Sequence, residues 1–179
     1  GGQSLQLEEV SGEFMGFSVE AHGRIPLPGQ DTSLRVALRS GRTRLYGELT
    51  DGWPEPLRSW AQMLSLAGDV ELHGELRGPG MDEVVADGSV ELHGVSATAG
   101  PWQVEATGEV DVKVDELFET NRKTEGRVSL ERLMVGPFRA SDLVAAGTLS
   151  GKKITVQRSD ARFYGGNLAG EEASVNLED

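Results

Sequence analysis

Residues 102–114 read Trp102-Gln103-Val104-Glu105-Ala106-Thr107-Gly108-Glu109-Val110-Asp111-Val112-Lys113-Val114. Trp102, Val104, Ala106, Val110, Val112 and Val114 share one parity. Gln103, Glu105, Thr107, Glu109, Asp111 and Lys113 take the other. Successive side chains of a strand point to opposite faces, so this stretch is a β-strand with one dry face and one charged face. Working outward, Val70-Glu71-Leu72-His73-Gly74-Glu75-Leu76-Arg77 alternates in the same way. Leu34-Val36-Leu38, Leu45-Gly47-Leu49, Ile154-Val156 and Val175-Leu177 repeat the idea. Gly78-Pro79-Gly80, Asp87-Gly88, Ala99-Gly100-Pro101 and Ser150-Gly151 punctuate the runs as turns. The connections are too short for crossovers, which predicts about ten to twelve mainly antiparallel strands.

One helix is expected near 54–67. Pro54 suits a first turn, and Leu57, Trp60, Ala61 and Leu64 fall at i, i+3, i+4, i+7, with an end near Gly68. Asp115-Glu116-Leu117-Phe118-Glu119 is compatible with a further helical turn. Val70-Glu71-Leu72-His73-Gly74 recurs as Val90-Glu91-Leu92-His93-Gly94, giving repeat-like units near 66–80 and 86–102. Gly100-Pro101-Trp102 recurs loosely as Gly136-Pro137-Phe138. Repetition of a strand unit favours an elongated, stacked sheet over a compact Greek key.

The chain has 179 residues, which suits a single β-rich domain over 1–179. Its 17 basic and 29 acidic residues give a net charge of −12. Such a chain is repelled by phosphate, so nucleic acid is a poor partner, and so is an anionic lipid surface approached by charge. Without cysteine there are no disulfides, thiolate metal sites or thiol nucleophiles. Serines are plentiful, but none lies in a Gly-x-Ser-x-Gly elbow. Phosphate-binding glycine loops are missing as well. The carboxylates occupy the outward parity, where a solvated face is their ordinary role. His73 and His93 sit at equivalent repeat positions beside Glu71 and Glu91. Their spacing alone does not show the three or four converging ligands that a metal needs, so they read as solvent-facing strand residues. No catalytic residue is expected, and the chain is read as a non-enzyme without cofactor.

A dry face on so many strands must be buried, and one helix of about a dozen residues cannot cover it. The sheet either folds onto itself as a sandwich or barrel, or curls into a trough whose lining is covered by a ligand. The alternation serves both.

The last third carries a resemblance. Gly147-Thr148-Leu149 and Lys153-Ile154-Thr155-Val156 precede Ala161-Arg162-Phe163-Tyr164-Gly165-Gly166-Asn167-Leu168-Ala169-Gly170, and Ala173-Ser174-Val175-Asn176-Leu177 follows. This C-terminal element, at 147–177, resembles the AsmA/TamB superfamily of bacterial cell-envelope proteins. Gly68 to Pro79 and Ala86 to Val90 are similar to the runs that recur along those proteins. The resemblance implies an internal or C-terminal segment of a longer, inner-membrane-anchored parent in the bacterial periplasm. It implies an all-β, curved antiparallel or mixed sheet, folded like a taco around an apolar groove. The groove would shield phospholipid acyl chains on their way between inner and outer membranes and support envelope integrity. Its implied lining is Val70, Leu72, Leu76, Val90, Leu92, Trp102, Val104, Val110, Val112 and Val114, continued by Ile154, Val156 and Phe163. Implied partners are acyl chains, neighbouring segments of the parent protein and an outer-membrane partner. The alternative is a structural or interaction module, a spacer or a β-domain that offers an edge strand.

Overall fold

The computed structural model of the protein describes residues 3–14, 16–27, 29, 32–51, 53, 57–80, 83–115, 123–150 and 153–176. Strands hold 76% of the described residues, so the protein is all-β. Its twelve strands form one antiparallel sheet that does not close into a barrel. They are β1 (Ser4–Phe14), β2 (Phe17–Pro26), β3 (Leu34–Ser40), β4 (Thr43–Leu45), β5 (Ala67–Gly78), β6 (Val85–Ala99), β7 (Trp102–Val114), β8 (Lys123–Val135), β9 (Phe138–Ser150), β10 (Lys153–Phe163), β11 (Gly166–Gly170) and β12 (Ala173–Asn176). The order is a meander, β1-β2-β3-β5-β6-β7-β8-β9-β10-β11. β4 also pairs with β5, and β12 also pairs with β10.

The turns follow from their residues. Val135 pairs with Phe138 across Gly136-Pro137, and Ala99 pairs with Trp102 across Gly100-Pro101. Gly100 (φ 59°) and Gly136 (φ 57°) each supply the positive φ that a two-residue hairpin needs at its first central position. The loose Gly-Pro-aromatic repeat is therefore one turn used twice. Tyr164 (φ 48°) and Gly165 (φ 81°) form the equivalent turn between β10 and β11, and the Tyr164 hydroxyl donates to the Pro137 carbonyl.

Two expectations needed correction. The run Leu45-Gly47-Leu49 is not one strand: β4 stops at Leu45, and a helical turn, α1 (Gly47–Thr50), follows. That turn brings Leu49 back onto the same cluster as Leu45. The expected helix is α2 (Leu57–Met63), shorter than the pattern suggested. It ends because Ser65 takes a left-handed φ of 47°, with Leu66 N–H bonded to the Ala61 carbonyl. Gly68 lies inside β5 instead. There φ is 133°, and a Cβ would stand 2.6 Å from the Val95 Cα. Pro54 and residues 116–119 lie outside the described residues, as does Leu177.

The two buried clusters sit at the N-terminal end of the sheet, and Leu130 of β8 is buried apart from them. Phe17, Leu45 and Val70 form one cluster, with Val19, Leu49, Trp53, Leu72, Val90, Leu92 and Val95 against it. Phe17 and Trp53 stack at 6.3 Å. Leu34, Val36 and Val84 form a second cluster, joined by Leu7, Ala21, Ile25, Leu38 and Leu76. Ser40, 2% exposed, closes the seam where β3 gives way to β4: its hydroxyl accepts the Leu72 N–H. The whole chain exposes 11957 Å², against about 8,400 Å² expected of a compact protein of this mass. The excess is that of an open sheet only partly covered.

Candidate functional site

Residues opposite one another in an antiparallel ladder share a face, so register defines the two faces of the sheet. One row runs Leu72–Val90–Val110–Val128–Ala145 across β5 to β9. A second runs Leu76–Ala86–Val114–Thr124–Leu149, and Ile154 continues it on β10. Between them lies Leu38–Gly74–Gly88–Val112–Gly126–Gly147–Val156. The expected lining residues therefore share one apolar face. Ile154 is placed there by backbone register only.

That face would be lost if the strands were regular. β6 inserts an extra residue between Leu92 and Val95, and β8 inserts Glu131. β9 carries a bulge at Asp142 (φ 51°), β10 one at Gln157, and β1 one at Glu8-Glu9 (Glu9 φ 50°). A one-residue slip sends every later side chain to the other face. The sequence slips too. Apolar places are even up to Leu92 and odd from Val95, even up to Leu130 and odd from Leu133, even at Val156 and odd at Ala161 and Phe163. Each bulge cancels the sequence shift, so the face stays apolar from end to end.

Coverage is uneven along the face. Val70 is buried, and Leu72, Leu76, Val90 and Leu92 are partly buried in the two core clusters. Val104, Val110, Val114 and Val156 are half-buried. Trp102 (47%), Val112 (38%) and Phe163 (38%) are exposed, as are Phe138 and Leu168 on the same face. Trp102 lies over Gly136, and Phe163 packs against Phe138 and Tyr164.

The central row is nearly bare of side chains. Gly74, Gly88 and Gly126 stand in it, and none has a positive φ. A Cβ at each would meet nothing closer than 3.8, 3.4 and 3.8 Å respectively. Their backbones tolerate any residue, so neither turn geometry nor crowding requires glycine. Gly147 differs, since a Cβ there would meet the Thr155 carbonyl at 2.6 Å. The result is a shallow track across β5 to β9, bounded by apolar rows and raised only at Val112. Four inter-strand spacings make it about 19 Å long. Sequence reading missed this track and the β8 lining Val128 and Leu130. The alternation at Thr124, Gly126, Val128 and Leu130 is a signal that could have found β8, but only register lines the glycines up.

The other face is charged. Arg35 pairs with Glu75 at 2.7 Å, Arg132 with Glu105 at 2.8 Å, and Arg77 with Asp87. A hollow of about 740 Å³ lies there, bordered by His22, His73, Asp87, Asp111, Lys113 and Arg127 and floored by the same glycine row. The Lys113 ammonium titrates above its ordinary value because it donates a hydrogen bond to Asp115 at 2.9 Å. The hollow and the apolar track lie on opposite sides of the sheet.

No helix among the described residues is long and apolar enough to cross a membrane. No protein-family model, curated protein or solved structure matches the chain. The resemblance to the AsmA/TamB superfamily therefore rests on the residues quoted for it.

Proposed function

We propose that the chain is a lipid-shielding segment of a bacterial envelope protein, whose apolar face holds phospholipid acyl chains in transit across the periplasm between inner and outer membranes. The observation that carries this reading is the glycine track. Three glycines that the backbone does not require line up between two apolar rows. A shallow apolar track in which Val112 is the one side chain between Gly74 and Gly147 suits an alkyl chain, which offers no polar handle and needs none. Each methylene removed from water gains about 0.8 kcal/mol, so a few along the track offset the cost of ordering a chain. A soluble protein rarely leaves such a face bare, and here Trp102, Val112, Phe138, Phe163 and Leu168 are exposed along it. No catalytic group takes part, and the parent protein's neighbouring segments would extend the same face.

The test is native mass spectrometry of the purified chain with solvent extraction of the same sample. Bound phospholipid is expected in the parent chain and is expected to be lost in Gly126→Leu and Gly88→Leu, which fill the track. Circular dichroism should show both variants folded, because each site has room for a side chain. A lipid-free parent chain, or folded variants that keep their lipid, would sink the proposal. A dry face would favour a spacer that engages partners through its edge strands.

A further inference from the structure

We propose that Glu71, Glu91 and His93, flanked by His73, form a binding site for a divalent transition-metal ion on the charged face, away from the lipid track. The register sets Glu71 of β5 directly opposite Glu91 of β6, and Glu91 opposite Glu109 of β7. Like charges placed directly opposite on neighbouring strands repel, so a line of three glutamates calls for positive charge among them. Ligand atoms of Glu71, Glu91 and His93 all lie within 4.8 Å of one another. His73 Nε2 lies 3.4 Å from Glu71 Oε1 and 3.7 Å from Glu91 Oε1, outside that group of three but in contact with both of its carboxylates. His93 Nε2 approaches Glu91 Oε2 from the other side, at 3.5 Å.

One imidazole and two carboxylates thus converge, with a second imidazole, His73, flanking the carboxylates. This donor set suits zinc and its first-row neighbours better than magnesium or calcium, which prefer oxygen alone. The antiparallel pairing explains why the repeat matters. His73 and His93 follow Glu71 and Glu91 in equivalent sequence places, and antiparallel strands send them to opposite flanks of the glutamate pair. The four side chains are 19–43% exposed, so an ion can reach them from solvent. The chain's net charge of −12 draws cations.

Two arginines stand as competitors. Arg39 Nη2 lies 3.4 Å from Glu71 Oε1, and Arg42 Nη2 lies 3.1 and 3.2 Å from the two ring nitrogens of His93. A guanidinium cannot act as a ligand, and it holds the charge the ion would bring. Metal and Arg42 therefore exclude one another at His93.

Isothermal titration of the chelator-treated chain with zinc chloride, near neutral pH, tests this. One zinc ion per chain is expected, at micromolar concentration. His93→Gln and Glu91→Gln are each expected to weaken binding by about tenfold or more. His22→Gln, on another part of the same face, is expected to leave it unchanged. Arg42→Ala is expected to tighten binding severalfold, an effect that general surface charge does not predict for one arginine over another; Arg132→Ala is the control. No binding at tenth-millimolar zinc, unaltered binding in folded His93→Gln, or equal gains from Arg42→Ala and Arg132→Ala would overturn the proposal.

Discussion

Glycine has two separate uses in this chain, and substitution tells them apart. Gly108 has φ 149°, and a Cβ there would stand 2.6 Å from the Leu130 Cα of the next strand. Gly108→Ala is expected to lower stability by about 2–4 kcal/mol, from backbone strain and overpacking together. Gly126→Ala meets only an ordinary contact at an ordinary φ. It is expected to be neutral or to stabilise by up to about 1 kcal/mol, since alanine restricts the unfolded chain. Urea denaturation of the two variants measures both, and equal losses would refute the assignment. A sequence shows both residues as glycine in a strand. Only the approach of the neighbouring backbone separates them, and that approach belongs to the register.

At the scale of elements, the strands and the helix α2 were legible and the helical turn α1 was not. Alternation in 70–77 and 102–114 is long enough to exclude other readings. Leu45 to Leu49 is too short for that. Both Leu45 and Leu49 have to reach the cluster around Val70, which a helical turn achieves where a strand would carry Leu49 away. The bulges were written in the sequence as parity shifts but looked like imperfect alternation. The apolar face was therefore readable strand by strand, while its continuity, the glycine track and the meeting of His73 with Glu91 needed the pairing. The pairing also grades protection. β6 to β9 have hydrogen-bonded neighbours on both sides, whereas β1 is an edge and α2 has seven residues. Hydrogen exchange is expected to be slowest in β6–β9 and fastest in β1 and α2. An α2 as protected as β7 would show that the helical segment is more firmly docked than its contacts imply.

At the scale of the whole molecule, the exposed area of 11957 Å² sets the shape. A compact chain of 179 residues has a radius of gyration of about 16 Å. Small-angle scattering of the monomer is expected to give a clearly larger value, and a value of about 16 Å would mean that the apolar face closes on itself in solution. The open sheet also governs how the protein meets heat. An unfolded chain of this mass exposes about 28,000 Å², so folding to 11957 Å² hides a little over half of it. Compact domains of this size hide about 70%. The heat capacity of unfolding follows the apolar area released, so it falls below the usual 12–15 cal/mol/K per residue. The stability curve is correspondingly flat, and the fold loses little on cooling. An acyl chain lying in the track would restore part of the missing area, so cargo would make the melting transition both later and steeper.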